Sequence, residues 1–239
     1  MKRVYVSTTR IVRGFLRAVG ILRVWDKWAT KSRTGKWSRS LLSIYDIDEL
    51  VSLDVPWWTF DSIDIVDKFL ANRPAAKVFE WGSGASTIWL SKRAESVIAI
   101  EHDRNWANHV NSMAPKNVQV KLVEPTKIQS GSTPITSSKK GNANLDFSDY
   151  VNAIEHERST FDLIVIDGRA REACLQLAKD KLSKDGMILF DNVDRERYRV
   201  AISKFGSELK TTWTRGLTPG LPYPTRTAVI SRHDLPIKS

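Results

Sequence analysis

Cysteine is nearly absent from this chain. Cys174 is the one cysteine in 239 residues, so no internal disulfide can form and a reducing compartment, the cytoplasm, is expected. Its plainest reading is a buried small apolar residue and not a reactive thiol. No apolar run approaches the roughly 18 residues that a membrane span needs. The N-terminus shows no uninterrupted apolar stretch with a cleavage site, so no signal peptide is expected. The four histidines and the lone cysteine lack zinc-ligand spacing. Acids are scarce at one end only. Residues 1–40 hold eleven Lys/Arg against a single acid, Asp26, and the whole chain carries a net charge of +10. Residues 41–239 are therefore balanced, and the basic character belongs to an N-terminal appendage. No internal repeat is evident. The hydrophobic content of 41% is that of a globular protein long enough for a sizeable core.

The chain is organised around Val78-Phe79-Glu80-Trp81-Gly82-Ser83-Gly84-Ala85-Ser86. A short apolar run, Ala75 to Phe79, ends in a carboxylate. Two glycines follow at alternate positions, and a helix-like run extends from Ser86 to Arg93. Glycine lets the backbone bend sharply and come close to a ligand. The helix start then presents free N–H groups. The next apolar run, Val97 to Ile100, ends in Glu101, 21 residues after Glu80, where a nucleotide-type site holds a ribose diol. A Gly-x-Gly turn alone is a weak signal, but strand, turn, helix and a second strand ending in an acid strengthen it. A dinucleotide site usually has a third glycine three residues after the second; here that position is Thr87.

Along the chain, residues 1–50 read as a basic amphipathic extension and linker, and residues 51–239 as an α/β domain. Ile11, Phe15, Val19, Leu22 and Trp25 recur at helical spacing, while Arg10, Arg13, Arg17 and Lys27 fall mostly on other faces. Such a segment suits an anionic membrane surface, peripheral on the inner face. It suits nucleic acid less, and it is equally compatible with a helix packed on the domain with its basic face in water. Trp57 and Trp58 read as core or as pocket wall. Thr59 can cap a helix whose buried stripe is Ile63, Val66 and Leu70. Strands are expected over 118–123, 163–166 and 187–190, with Lys184-Asp185-Gly186 as a turn. Residues 125–145 are low in complexity and read as a mobile loop, a lid or a plain insertion. Residues 208–215 and 227–231 read as a closing hairpin.

The strand ends converge on one edge in such a sheet, bringing Glu80, Glu101, Asp167 and Asp191-Asn192 together. Asp167, Asp191 and Asn192 offer hard oxygens suited to Mg²⁺ or Ca²⁺, or else the two acids cap the following helices. Arg169, Arg171, Arg195 and Arg197 would stand along that edge and hold a phosphate or carboxylate, or pair with Asp194 and Glu196 on a solvated face.

Glu80-x-Gly82-x-Gly84 resembles the first motif of the class I S-adenosylmethionine-dependent methyltransferases. The resemblance implies a doubly wound, mostly parallel, seven-stranded sheet with a C-terminal antiparallel hairpin, here with a basic helical appendage. It implies that Glu80, Gly82, Ser83, Gly84 and Ser86 hold the amino-acid end of the cofactor, and that Glu101 and His102 serve its ribose and adenosine end. Asp167 with Asp191-Asn192 resembles the Mg²⁺ site of catechol-type O-methyltransferases, which makes Asp167, Arg169 and Asp191 the candidate catalytic residues. The Asp167-Gly168-Arg169-Ala170-Arg171 context departs from that branch. It looks closer to bacterial enzymes thought to act on sugars or other small molecules. The implied function is methyl transfer to an oxygen of a small molecule, perhaps a sugar or lipid-linked glycan. An RNA methyltransferase anchored by residues 1–40 and a non-catalytic nucleotide-binding module are the rivals. The sequence leaves the oligomeric state open.

Overall fold

A computed structural model describes residues 2–44, 46–139, 141–205 and 208–233. Five helices come first: α1 (Lys2–Ala18), α2 (Ile21–Lys31), α3 (Arg33–Ser40), α4 (Ile47–Ser52) and α5 (Phe60–Ala71). Then β1 (Lys77–Trp81), α6 (Ala85–Ser91), β2 (Ser96–Glu101), α7 (Arg104–Met113) and β3 (Val118–Leu122) alternate. A small pair, β4 (Thr126–Lys127) and β5 (Leu145–Asp146), precedes α8 (Ser148–Asn152), β6 (Phe161–Ile166), α9 (Arg171–Lys181), β7 (Leu182–Asp191) and α10 (Glu196–Ser203). The hairpin of β8 (Lys210–Gly216) and β9 (Thr225–Ser231) ends the fold.

The main sheet has seven strands in the order β3-β2-β1-β6-β7-β9-β8. The first five are parallel, and β9 runs antiparallel to both β7 and β8. The chain winds outward from β1 through β2 to β3, then crosses to β6 on the other side of β1. The point where the winding reverses lies between the carboxyl ends of β1 and β6, where ligands bind in open α/β sheets. Central parallel strands are covered on both faces, which is why Leu163 to Ile166 and Met187 to Phe190 are apolar throughout and fully buried. Phe79, Trp81, Ile164 and Ile166 face the side covered by α8 and α9. Val78, Leu163 and Val165 face α5, whose Ile63, Val66 and Leu70 form the expected stripe. Thr59 caps α5 by accepting from Ser62 N.

Four local features differ from the sequence reading. Lys184-Asp185-Gly186 is not a free turn but an irregular part of β7: Phe161 pairs with Leu182, and the register then jumps to Leu163 with Met187. The N-terminal helix is broken at Gly20, which is left-handed at φ 77°, and the expected linker after it is helical as α3. The expected boundary at residue 50 falls inside α4, whose Ile47 and Leu50 pack with Val55, Ala85 and Val110 of the domain. Buried Arg39 reaches Asp26 at 2.7 Å and Glu49 at 2.9 Å, tying appendage to domain. Finally, 125–145 is anchored despite its composition. Ile135 N donates to Asp146 Oδ1 (3.0 Å), and Phe147 N donates to the Ile135 carbonyl (2.7 Å). Among the described residues no helix is long and apolar enough to cross a membrane.

One close approach sets the geometry of the sheet edge. Gly82 follows β1 at φ +102°, and Gly168 follows β6. A Cβ on Gly168 would lie 1.9 Å from Tyr150 Oη and 2.9 Å from Gly82 N. Gly168→Ala is expected to cost about 1–3 kcal/mol through this overpacking, measured by urea unfolding. Adding Tyr150→Phe should recover part of that loss, because it removes the nearest clashing atom.

Candidate functional site

The turn between β1 and α6 is tied down by its own strand. Glu80 is buried, its Oε1 accepting from Ser86 Oγ and its Oε2 from Thr87 Oγ1 at 2.6 Å. Thr87 Oγ1 in turn accepts from Gly84 N at 2.9 Å. Burial pushes the Glu80 carboxyl up to about 8. The Ser86 and Thr87 hydroxyls pull against that shift, and the nearby Asp167 and Glu101 add to it.

Glu101, at the end of β2, grips the same turn from the neighbouring strand. Its Oε2 accepts from Ser83 N at 3.1 Å and from Ser83 Oγ at 2.9 Å. Its Oε1 accepts from the backbone N–H groups of His102 (2.8 Å) and Asp103 (3.0 Å), with His102 Nδ1 2.6 Å away. Burial alone would raise this carboxyl, but His102, the backbone donors and Ser83 together hold it below the ordinary glutamate value. His102 Nε2 accepts from Arg169 Nε at 3.3 Å, while Nδ1, though 2.6 Å from Glu101 Oε1, is not in hydrogen-bond geometry with it.

Glu80, Gly82, Ser83, Ser86, Glu101 and His102 line one cavity of about 820 Å³, together with Asp167, Arg169 and Asn192. Gly84 sits behind it as the N-cap of α6. The sequence reading missed Trp106, which also lines the cavity and donates from Nε1 to the Ser83 carbonyl at 2.7 Å. The signal was present: Asp103 caps α7 by accepting from Trp106 N, so an aromatic in the first turn after the strand-end acid faces the same edge. The two tryptophans of 57–58 divide. Trp58 is core, edge-on to Trp89 at 5.9 Å, whereas Trp57 lines the cavity and its Nε1 has no partner among the described residues. The cavity thus fits a ligand with a nucleoside at one end and an amino acid at the other. It has a carboxylate at the end of each of two strands, a side-chain-free bend at Gly82 and an aromatic wall.

The expected Mg²⁺ site does not form. Asp191 is buried and outside the cavity lining. Its Oδ1 accepts from Thr227 Oγ1 at 2.6 Å and its Oδ2 from Asn192 Nδ2 at 2.5 Å, so both oxygens are engaged. Burial, reinforced by Asp167, pushes this carboxyl up to about 8. A guanidinium stands where the metal was expected. Arg171 Nη2 donates to Asp167 Oδ1 and to the Asp167 carbonyl, both at 2.8 Å. Its Nη1 donates to the Asp191 carbonyl at 2.6 Å and its Nε to the Gly168 carbonyl at 3.0 Å. Among the described residues no group of three His, Cys, Asp or Glu is placed to hold a metal. Arg171 therefore staples the ends of β6 and β7, and it also lines both the cavity and the recess beside it. Asp167 remains at the cavity, its carboxyl raised by a burial that outweighs Arg171 and Arg169. Cys174 is buried, its thiol pushed well above the usual range by desolvation.

Beside the cavity lies a second recess of about 240 Å³, lined by Ser137, Lys139, Arg169, Asn192, Arg195 and Arg197 among others. Lys139, Arg169 and Asn192 belong to both spaces. Arg197 stacks on Tyr198 with its guanidinium carbon 4.8 Å from the ring centre and donates to Tyr198 Oη at 3.0 Å. Asp194 does not neutralise this group, accepting from Arg226 N at 3.1 Å instead, but Glu172, which also lines the recess, lies 3.8 Å from Arg197 Nε. Two outcomes follow. Arg171→Met, which strands Asp167 and three carbonyls, is expected to cost about 3–5 kcal/mol in urea unfolding. Millimolar Mg²⁺ is expected to leave the thermal midpoint unchanged, because its proposed ligands are already engaged.

Residues 79–193 match the family model described as a methyltransferase domain. No curated protein matches the chain significantly. Among solved structures, the cofactor-bound Rv0187 from MTB superposes with a TM-score of 0.54 at 16% identity, covering 80% of this chain and 89% of that one. An O-methyltransferase from Bacillus cereus in complex with SAH gives 0.53 at 18% identity, covering 78% and 90%. The O-methyltransferase TomG from Streptomyces achromogenes, in complex with SAM, gives 0.52 at 13% identity, covering 73% and 79%. At these identities the likeness is one of fold. The strand order, the antiparallel penultimate position of β9 and the match of residues 79–193 to a methyltransferase domain agree: this chain has the class I, Rossmann-like methyltransferase fold.

Proposed function

We propose that this methyltransferase acts on an oxygen of a small molecule that also carries an anionic group, with a sugar hydroxyl near a phosphate or carboxylate, free or on a lipid-linked glycan, as the favoured acceptor. The observation that carries this reading is the shared wall of the two spaces. Arg169 belongs to the cavity and to the recess, and Arg195 and Arg197 extend the positive charge away from the cavity. Paired guanidinium groups suit a phosphate or carboxylate through bidentate contacts.

In this reading Glu80, Gly82, Ser83, Gly84 and Ser86 hold the amino-acid end of S-adenosylmethionine. Glu101 holds the ribose, and Trp106 and His102 flank the nucleoside. When bound, the cofactor supplies an already activated methyl group. The protein has to align the acceptor, exclude water and accept a proton. Asp167 is the residue placed for the last task. It lines the cavity, and its raised pKa brings a carboxylate nearer to the working range of a general base. Arg169 stabilises the developing oxyanion from the recess side. Asp191 drops out of the catalytic set, because its oxygens face Thr227 and Asn192. RNA is the weaker acceptor reading: Arg10, Arg13, Arg33 and Arg39 are spent on acids of the same chain and leave fewer charges for a phosphate backbone.

Calorimetry with S-adenosylmethionine should give a Kd in roughly the micromolar range, and Glu101→Ala should weaken it roughly tenfold or more, a loss of about 1.4 kcal/mol. NAD should not bind. Affinity should also depend on pH. The empty site keeps Glu80 protonated up to about pH 8, and a net cationic ligand favours its ionised form, so binding ejects a proton below that pH. The Kd should therefore fall as pH rises from mildly acid towards 8 and then level off; in Glu80→Gln it should stay flat. Asp167→Asn should lower turnover by about 10²–10⁴-fold with cofactor affinity little changed. The wild-type rate should rise with pH through the raised Asp167 pKa. Full turnover in Asp167→Asn would remove the proposed base, and cofactor binding without S-adenosylhomocysteine formation on any anionic sugar would favour a non-catalytic module.

A further inference from the structure

The appendage is turned the opposite way from what its composition suggests. On α1, Arg10 Nε and Arg13 Nη2 donate to Asp46 Oδ2 at 3.2 and 3.1 Å. Arg13 Nε lies 3.1 Å from Glu49 Oε1, and Arg17 Nη2 lies 3.8 Å from the same oxygen. Arg13 is thus packed against Asp46 and Glu49, while Arg10 and Arg17 reach the same acids from the solvent-exposed edge of the helix. The apolar face is left to solvent: Ile11, Phe15 and Val19 are 73, 65 and 49% exposed. On α2 the same is true of Ile21, Val24 and Trp28, at 51, 68 and 47%. Each set recurs at three- or four-residue spacing, which makes one stripe per helix. Eleven large hydrophobic side chains are exposed among the described residues, and seven of them fall between Ile11 and Trp28. A clustered apolar surface of this kind marks an interaction site.

The charge around the stripes selects the occupant. Arg23, Lys27 and Lys31 are exposed on α2 and make no ion pair with the described residues. The one acid of residues 1–40, Asp26, is already held by Arg39 at 2.7 Å. A second copy would bring two strongly positive segments together, which is repulsive. A nucleic acid would seek the basic side of α1, which Asp46 and Glu49 occupy, and would gain little from an aliphatic stripe. An anionic bilayer satisfies both features, taking apolar side chains into its acyl boundary and cations at its headgroups. Trp28 suits the interface itself.

We propose that α1 and α2 dock on an anionic phospholipid bilayer through the Ile11–Phe15–Val19 and Ile21–Val24–Trp28 stripes, with Arg23, Lys27 and Lys31 against the headgroups. The ion pairs of Arg10, Arg13 and Arg17 with Asp46 and Glu49 then fix the docked helices to the rest of the protein. This proposal rests on the exposed surface and is independent of the acceptor reading above.

Co-sedimentation of the full chain with vesicles tests it. Binding is expected to vesicles containing phosphatidylglycerol, to be much weaker to phosphatidylcholine alone, and to fall with added salt. Phe15→Asp with Val24→Asp should weaken it roughly tenfold or more. Arg23→Glu with Lys27→Glu should weaken it and remove the salt dependence. Both variants change exposed side chains, so the thermal midpoint and S-adenosylmethionine affinity should match the wild type. Equal vesicle binding by the wild type and the Asp variant overturns the proposal, as does failure of the wild type to bind phosphatidylglycerol vesicles. A dimer in light scattering that the Asp variant converts to a monomer assigns the face to a second copy instead. Salt-sensitive RNA binding lost in the charge variant but kept in the Asp variant assigns the segment to nucleic acid.

Discussion

The bend from Gly82 to Thr87 is held from two sides by carboxylates that end neighbouring parallel strands, Glu80 through Ser86 and Thr87 and Glu101 through Ser83. Neither acid is incidental to the fold. Removing either would free polar groups on a turn that lies directly over the sheet edge, where Gly82 and Gly168 pass backbone to backbone. The two groups are poised differently. Glu101 has enough donors to stay ionised in a buried site, whereas Glu80 has two hydroxyls and two acidic neighbours and is driven towards its neutral form. A pocket with one fixed anion and one that ionises on demand is matched to a ligand with a neutral sugar at one end and a cationic centre at the other.

Charge is then divided across the site. The cofactor side is acidic. The acceptor side, beyond Gly168, is basic through Arg169, Arg195 and Arg197. Between them Arg171 replaces a metal ion as the cation that holds the ends of β6 and β7 in register, with four hydrogen bonds to three residues. A guanidinium cannot lower the pKa of an acceptor hydroxyl by coordinating it as a divalent cation would. In the proposed reaction the proton-accepting task therefore falls to Asp167.

What the sequence made legible was local. Glu80-x-Gly82-x-Gly84, the acid 21 residues later, the apolar parallel strands and the closing hairpin can all be read from neighbouring residues and period, and all are where they were expected. What it hid was settled by partners far away in the chain. Asp191 turns from the expected metal site because Thr227 waits on the antiparallel strand β9. Arg171 reads like one more surface arginine until the ends of β6 and β7 are brought together around it. The arginines of α1 turn to Asp46 and Glu49, more than thirty residues downstream. Helical spacing gave the two faces of α1 correctly, but it carries no information on which face meets the protein.

The same logic links the appendage to the site. Arg39 and Trp37 reach Glu49 and the Leu221 carbonyl, so the helices that expose the apolar stripes are anchored to the body that holds the cavity. The seat of the cofactor is read out by a crystal structure with S-adenosylhomocysteine bound. Ribose hydroxyls are expected within hydrogen-bonding distance of Glu101, with the amino-acid end against residues 80–86. A nucleoside seated away from Glu101, or in the basic recess beside Arg195 and Arg197, would contradict that placement.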